Sequence, residues 1–297
     1  MSDVMDPVNQ TSTSFNRRAF VGISAGAAAV AGTIAQALAQ GADLGKPHPP
    51  IVSESDPAIT VEHVTLTRPD VAMDAYAAYP KRITATTPGV VVIQHIWGVD
   101  ATIRDTVRRY AKEGFIAIAP DLFVRSNPPS GDGLTDFTVF RPAAGALKDD
   151  VVHGDTLAAH DWIRAKAAQS KIGITGFCMG GGIVLKQVIG YTDYAAASMF
   201  YGDVRPGAKR DDPTTPETFA YTGKITTPLM GSFGARDTGI KADDVRAMFA
   251  TLKGPHDVRV YDEAGHAFFD DTRSSYVASA ASDAWTRTLG WFHKYLS

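Results

Sequence analysis

The sequence predicts an α/β fold, with a mostly parallel central sheet and helices on both faces. Three features predict it. Short runs rich in β-branched and apolar residues alternate with longer stretches of helical periodicity, as in strands joined by crossover helices. Two of these runs, Gly89–Gln94 and Phe115–Ala119, are apolar almost throughout, as strands covered on both faces are. A third, around Ile172 and Ile174, passes at once through Gly176-Phe177-Cys178-Met179-Gly180 and two further glycines into an apolar helix.

The elements follow in order. Gly41–Pro57 is Pro-rich and reads as an irregular leader, placing the folded domain at residues 59–297 after a leader at 40–58. Thr60–Leu66 alternates like a strand, and Met73–Tyr79 pairs with it as a hairpin. After the strand at Gly89–Gln94, Ile103–Glu113 has helical periodicity and ends at Gly114. Pro120 stops the strand at Phe115–Ala119. Asn127–Gly145, rich in Pro, Gly and Asp, reads as a long surface loop. Leu147–Ala168 reads as a helix leading into the strand before Cys178. Ala195–Tyr201, Pro228–Phe233 and Val258–Tyr261 read as strands, Lys241–Leu252 as a helix, and Tyr276–Leu296 as a closing amphipathic helix.

The 297 residues, 44% hydrophobic and 21% charged, suffice for one large domain, and no repeat or second-domain linker interrupts them. A net charge of −3 gives no footprint for nucleic acid. The single cysteine excludes an internal disulfide and a cysteine-based metal cluster. His153 and His160 share a helix, but no carboxylate–histidine pattern joins them into a zinc site.

Residues 1–39 read as a targeting segment. Arg17 and Arg18 precede Phe20 and a weakly apolar Ala/Gly-rich run ending Ala37-Leu38-Ala39, which resembles a twin-arginine export signal cleaved after Ala39. The partner expected of it is the twin-arginine machinery, and the destination a periplasm. A retained anchor is the alternative, but alanine and glycine make the run a poor permanent span.

The stretch at Lys171–Leu185 has the strand–turn–helix form of the nucleophile elbow, G-x-S-x-G, of α/β-hydrolases, with cysteine in place of serine. Such a turn strains the nucleophile's backbone, and glycines two positions either side let strand and helix pack closely. The thiol then sits at a helix N-terminus, which favours thiolate. In this fold the order along the chain is nucleophile, acid, histidine. Of His256, His266 and His293, only His266 lies in a glycine-tipped loop just after a strand and is the expected base. Asp237, after the strand at Pro228–Phe233, is the expected acid. Helix N-capping before Lys241 is its alternative role, and Asp203 and Asp262 are weaker rivals. The oxyanion hole should join the N–H of Met179 to one from Gln94-His95-Ile96-Trp97-Gly98, with Ile96 the chosen donor. Trp97 borders the site or packs in the core. No cofactor is required.

Together these residues resemble the dienelactone hydrolase family from about Val61 to Leu296. The resemblance rests on the Gly176–Gly181 elbow, Ala119–Phe123 followed by Arg125, Phe200-Tyr201-Gly202, and Gly265–Phe268. It implies an α/β-hydrolase fold, a Cys178–Asp237–His266 triad, and opening of an enol-lactone or related ester through a thioester. It also implies substrate-side roles for Arg125 and Tyr201. Two positions depart from the family pattern. His95 stands where the family carries a glutamate that helps activate the cysteine, and imidazolium character there would favour thiolate at Cys178. Asp270 stands where the family's second substrate-binding arginine is expected, with Arg273 nearby. An acidic residue there weakens selectivity for an anionic substrate. Rival readings are a general carboxylesterase or thioesterase, a non-catalytic binding protein on the same scaffold, and a thiol redox protein. The last lacks a resolving cysteine.

Overall fold

The computed structural model describes residues 46–205 and 219–297, so the expected export signal lies outside the described residues. The elements are β1 (Ile59–Thr67), β2 (Ala72–Pro80), β3 (Gly89–Ile93), α1 (Ala101–Lys112), β4 (Ile116–Pro120), α2 (Arg141–Gly145) and α3 (Asp149–Lys166). They continue with β5 (Ile172–Phe177), α4 (Met179–Gly190), β6 (Ala196–Phe200), β7 (Leu229–Gly234), α5 (Ala242–Ala250), β8 (His256–Tyr261) and α6 (Ala278–Leu296). Eight strands form one sheet in the order β1-β2-β4-β3-β5-β6-β7-β8. β2 runs antiparallel to both β1 and β4, and every pairing from β4 to β8 is parallel.

Strand alternation sorts the core into two layers. Val90 and Val92 of β3 face Val107 and Tyr110 of α1 and Leu289 and Phe292 of α6. Val91 and Ile93 face the other way, toward Ile163 of α3, Val184 of α4 and Met248 of α5. A sheet covered on both sides explains why its central strands are apolar throughout. β3 has β4 on one side and β5 on the other, so strand order reverses there. The carboxyl ends beside such a reversal are where an α/β sheet offers a crevice.

The expected hairpin forms, with Thr60 opposite Tyr79 and Leu66 opposite Met73. The long loop departs from expectation. Residues 137–140 form a 3-10 turn that runs into α2. Asp136 caps the turn through the Thr138 N–H at 2.9 Å, Pro142 lies in the first turn of α2, and Phe140 is fully buried beside Phe123. The Pro and Gly content hid one apolar anchor that folds the segment down. Residues 46–58 have no helix or strand, yet the buried Asp105 carboxylate accepts the N–H groups of Ile51 and Val52 at 3.0 and 2.8 Å.

The elbow depends on close backbone packing. A Cβ on Gly180 would lie 2.5 Å from both the Ile93 and Gln94 carbonyl oxygens. The start of α4 therefore rests directly on the end of β3. Gly180→Ala is expected to destabilise by about 1–3 kcal/mol, because backbone rather than a flexible side chain must yield. Gly190→Ala, which meets nothing within 4 Å, is expected to stay within about 0.5 kcal/mol of wild type. Thermal denaturation of the two variants checks the contrast.

Candidate active site

Cys178 is the N-cap residue of α4, with φ 55° and ψ −116°. Few non-glycine residues hold a positive φ, and here the surroundings enforce it. The Cys178 N–H donates to Phe200 O at 3.0 Å, and its carbonyl accepts the Gly182 N–H at 3.2 Å. Phe177, just before it, stacks on Phe269 at 5.2 Å and packs on Phe200 at 4.7 Å. The aromatic platform therefore joins the elbow to the loop that carries His266.

That loop follows β8. His266 Nε2 lies 3.0 Å from Cys178 Sγ, and His266 Nδ1 lies 2.7 Å from Asp237 Oδ2. Ala267, next to the histidine, has φ 59°, and its carbonyl accepts Ser275 Oγ–H and the Asp270 N–H. The ring of Tyr201, itself at φ 36°, meets the His266 ring edge-on at 5.3 Å and Phe268 at 5.3 Å. The imidazole is thus held at both nitrogens and against one face of an aromatic ring. Asp237 serves two purposes. Its Oδ2 faces His266, while its Oδ1 accepts the N–H groups of Gly239 and Ile240 at 2.8 and 3.0 Å. The loop-capping role and the histidine contact use different oxygens.

Burial alone would push the Cys178 thiol up. The hydrogen bond and charge of His266, then the charge of His95, outweigh it and leave the thiol below its ordinary value. Burial would likewise lower His266, but the Asp237 bond and the Cys178 sulfur raise it well above an ordinary histidine. Asp237 is pushed up by burial and brought below the usual carboxylate value by His266 and its two backbone donors. The three shifts all favour thiolate–imidazolium–carboxylate, a state in which Nε2–H would donate to sulfur and Nδ1–H to Asp237.

Met179 is the first residue of α4, so its N–H has no acceptor within that helix. Ile96 and Met179 border one small apolar cluster with Phe123, Phe140, Trp97 and Leu134. The two expected oxyanion residues therefore pack against the same cluster. Gln94 fixes the loop from behind, its Oε1 accepting the Leu122 N–H at 3.1 Å. This contact gives the Ala119–Phe123 segment a structural purpose at the site.

His95 is buried between two carboxylates. Its Nε2 lies 2.8 Å from Asp100 Oδ1 and its Nδ1 lies 3.8 Å from Asp270 Oδ2. Burial would favour the neutral ring, but Asp100, then Asp270 and Cys178, raise its pKa above the ordinary value. Arg273 closes the cluster, its Nε donating to Asp270 Oδ2 at 3.0 Å. Two positive and two negative groups thus balance when His95 is protonated. Nothing in the sequence marks Asp100 as a site residue. It also caps α1, accepting the Ile103 N–H at 3.2 Å.

The structure reassigns Arg125. Its guanidinium makes four hydrogen bonds, all to Asp70 and Asp155. It ties the turn before β2 to α3. Trp97 lies beneath the Arg273 guanidinium, 3.7 Å from its centroid, and edge-on to Phe140. The other candidates are engaged elsewhere. His256 bonds to Gly254 O, and His293, half-buried, packs on Phe115. Asp203 accepts the Arg205 N–H, and Asp262 is exposed. His153 stacks on Tyr191 and faces Gln187, while His160 faces Asp161.

The model of the Dienelactone hydrolase family matches residues 73–296 of this chain. The chain is 33% identical over 253 residues to the "Putative carboxymethylenebutenolidase" of Escherichia coli K12, covering 82% of this chain and 91% of that protein. It is 35% identical over 243 residues to the protein of the same name from a Synechocystis strain, covering 78% and 96%. Among solved structures, a "Putative Dienelactone Hydrolase" from Klebsiella pneumoniae aligns with a TM-score of 0.71 at 32% identity, spanning 80% of this chain and 100% of that one.

Proposed function

This chain belongs to the dienelactone hydrolase family and is an ester-bond hydrolase, and from that premise we infer that it opens enol-lactones or activated carboxylic esters through a thioester on Cys178. The observation that carries this reading is the 3.0 Å approach of His266 Nε2 to Cys178 Sγ, with Asp237 on the opposite ring nitrogen.

In the first step the thiolate attacks the ester carbonyl and a C–S bond forms. The carbonyl oxygen takes the negative charge and is held by the N–H groups of Ile96 and Met179. The C–O bond to the leaving group then breaks, and the alcohol or enol departs with the His266 proton. In the second step neutral His266 takes a proton from water, which attacks the thioester. The C–S bond breaks, and thiolate and imidazolium are restored with release of the acid. Thiolate is a good leaving group, so an intermediate with a poor one expels sulfur and returns to substrate. This favours enol and aryl esters over amides and simple alkyl esters. The reading is tested by p-nitrophenyl acetate, which should be hydrolysed by the wild type with saturation kinetics.

His95, when protonated, favours the Cys178 thiolate through its charge. Removing it disfavours thiolate, so in His95→Gln the pH midpoint for Cys178 alkylation by iodoacetamide is expected to move upward. Alkylation on the acid side should fall several-fold. Superimposable curves would remove His95 from activation of the nucleophile.

The mature enzyme begins after Ala39, once residues 1–39 have directed folded export by the twin-arginine route. The adjacent Arg17 and Arg18 and the Ala37-Leu38-Ala39 ending support this. No described helix is long and apolar enough to cross a membrane. Secretion of the full chain should stop when both arginines become lysine.

A further inference from the structure

We propose that the site is built for uncharged esters, with an apolar, aryl-sized group of the substrate seated in the cavity beside Trp97 and no recognition of a substrate carboxylate. The inference rests on the hydrolase reading above and names its substrate class.

A cavity of about 450 Å³ is lined by Trp97, Asp100, Asp132, Leu134, Arg273 and Ser275, among others. Two of its lining residues are neighbours of site residues. Trp97 follows Ile96 in the expected oxyanion loop, and Ser275 bonds to Ala267, the neighbour of His266.

The charges around this cavity are already matched. Arg273 donates through Nε to Asp270 at 3.0 Å and through Nη1 to Leu134 O at 2.8 Å, and its Nη2 lies 3.7 Å from Asp100. One face of its guanidinium is covered by Trp97. Arg104, beside Asp132, donates to that carboxylate at 2.8 Å and to Val99 O at 2.7 Å. Arg125, the other arginine a carboxylate might use, is saturated by Asp70 and Asp155. Asp270 and Asp100 are themselves almost wholly buried, so neither turns away to solvent to release Arg273. At the cavity wall an entering carboxylate would shed its water and meet matched cations beside fixed carboxylates, which opposes binding; Arg141, over the Phe137 ring at 5.0 Å, lies outside that wall.

The apolar surface points the same way. Ile96, Trp97, Leu134 and Met179 share one cluster with buried Phe123 and Phe140. Phe137, 42% exposed, stands edge-on to Trp97 and extends this surface outward, and Val139 beside it is 46% exposed. An apolar group on an ester at Cys178 can pack against this surface, which begins at Met179, the residue after the cysteine.

The test is a matched pair of esters, p-nitrophenyl valerate and mono-p-nitrophenyl glutarate. They differ only in a terminal methyl or carboxylate, and each rate is normalised to its hydroxide-catalysed rate. Wild type is expected to favour valerate in kcat/KM by on the order of 10²-fold. The valerate value should change little with added salt. p-Nitrophenyl phenylacetate should exceed acetate, and Phe137→Ala should narrow that gap. Asp270→Asn, which removes one of the two carboxylates facing Arg273, should shrink the valerate-to-glutarate ratio at least several-fold. Cysteine-dependent turnover with glutarate equal to or better than valerate would overturn this proposal and leave the hydrolase reading standing. Turnover of both esters unchanged by Cys178→Ala would overturn the Cys178 thioester reading and this proposal with it. Should Asp270→Asn fail to fold, the wild-type ratio alone decides.

Discussion

Replacing Cys178 with alanine is expected to lower kcat/KM for p-nitrophenyl acetate by on the order of 10⁴-fold or more, to near the uncatalysed rate. Every bond change in the proposed mechanism passes through the sulfur. Without it no acyl intermediate forms, and only the oxyanion donors and binding remain to help water. The fold should survive, because alanine fills the same backbone position with a smaller side chain. Its positive φ is already imposed on a non-glycine residue by the Phe200 and Gly182 contacts. Near-normal thermal denaturation with abolished turnover is therefore the expected pair of results. Cys178→Ser should also lose most activity. A hydroxyl does not ionise beside His266 as a thiol does, so the resting ion pair is lost.

Asp237→Asn is expected to lower kcat by about 10²- to 10⁴-fold, with a smaller effect on KM. The substitution keeps the shape and can keep the Oδ1 contacts to Gly239 and Ile240. It removes the negative charge that faces Nδ1–H at 2.7 Å. The sign of the pH effect follows from the shifts. Asp237 raises the His266 pKa, and the His266 charge in turn holds the Cys178 thiol below its ordinary value. Without that carboxylate the imidazolium weakens, the thiolate is less favoured, and the pH midpoint for Cys178 alkylation moves upward. Wild type should keep more thiolate on the acid side of that midpoint than Asp237→Asn does. If kcat falls while the alkylation curve stays put, Asp237 orients the ring without tuning the charge pair.

The fold was largely legible because its signals are local. The apolar runs of β3 and β4, the hairpin alternation and the glycine-flanked turn each declare an element within a few residues. Segment 127–145 was less legible because its order comes from Phe140 meeting Phe123, a long-range contact that composition does not announce. At the site, chain order and loop position were enough to bring forward Cys178, Asp237 and His266. The surrounding charge cluster was not readable in the same way. Asp100 looks like an ordinary helix cap, and only the fold brings it to His95. His95 and Asp270 stood out singly as two departures from a family pattern. In the structure they face each other at 3.8 Å, one basic and one acidic, so they act together. Arg125 shows the converse. An arginine in the right segment looks like a substrate anchor until Asp70 and Asp155 are seen to occupy it.

The most direct test of a covalent role for Cys178 uses p-nitrophenyl trimethylacetate, whose bulky acyl group slows the second step. Rapid mixing should release a burst of about one p-nitrophenolate per enzyme. Acid-quenched protein analysed by peptide mass spectrometry should carry a single trimethylacetyl group on Cys178. A burst of the same size with the acyl group on another residue, or one that persists in Cys178→Ala, would contradict a cysteine nucleophile.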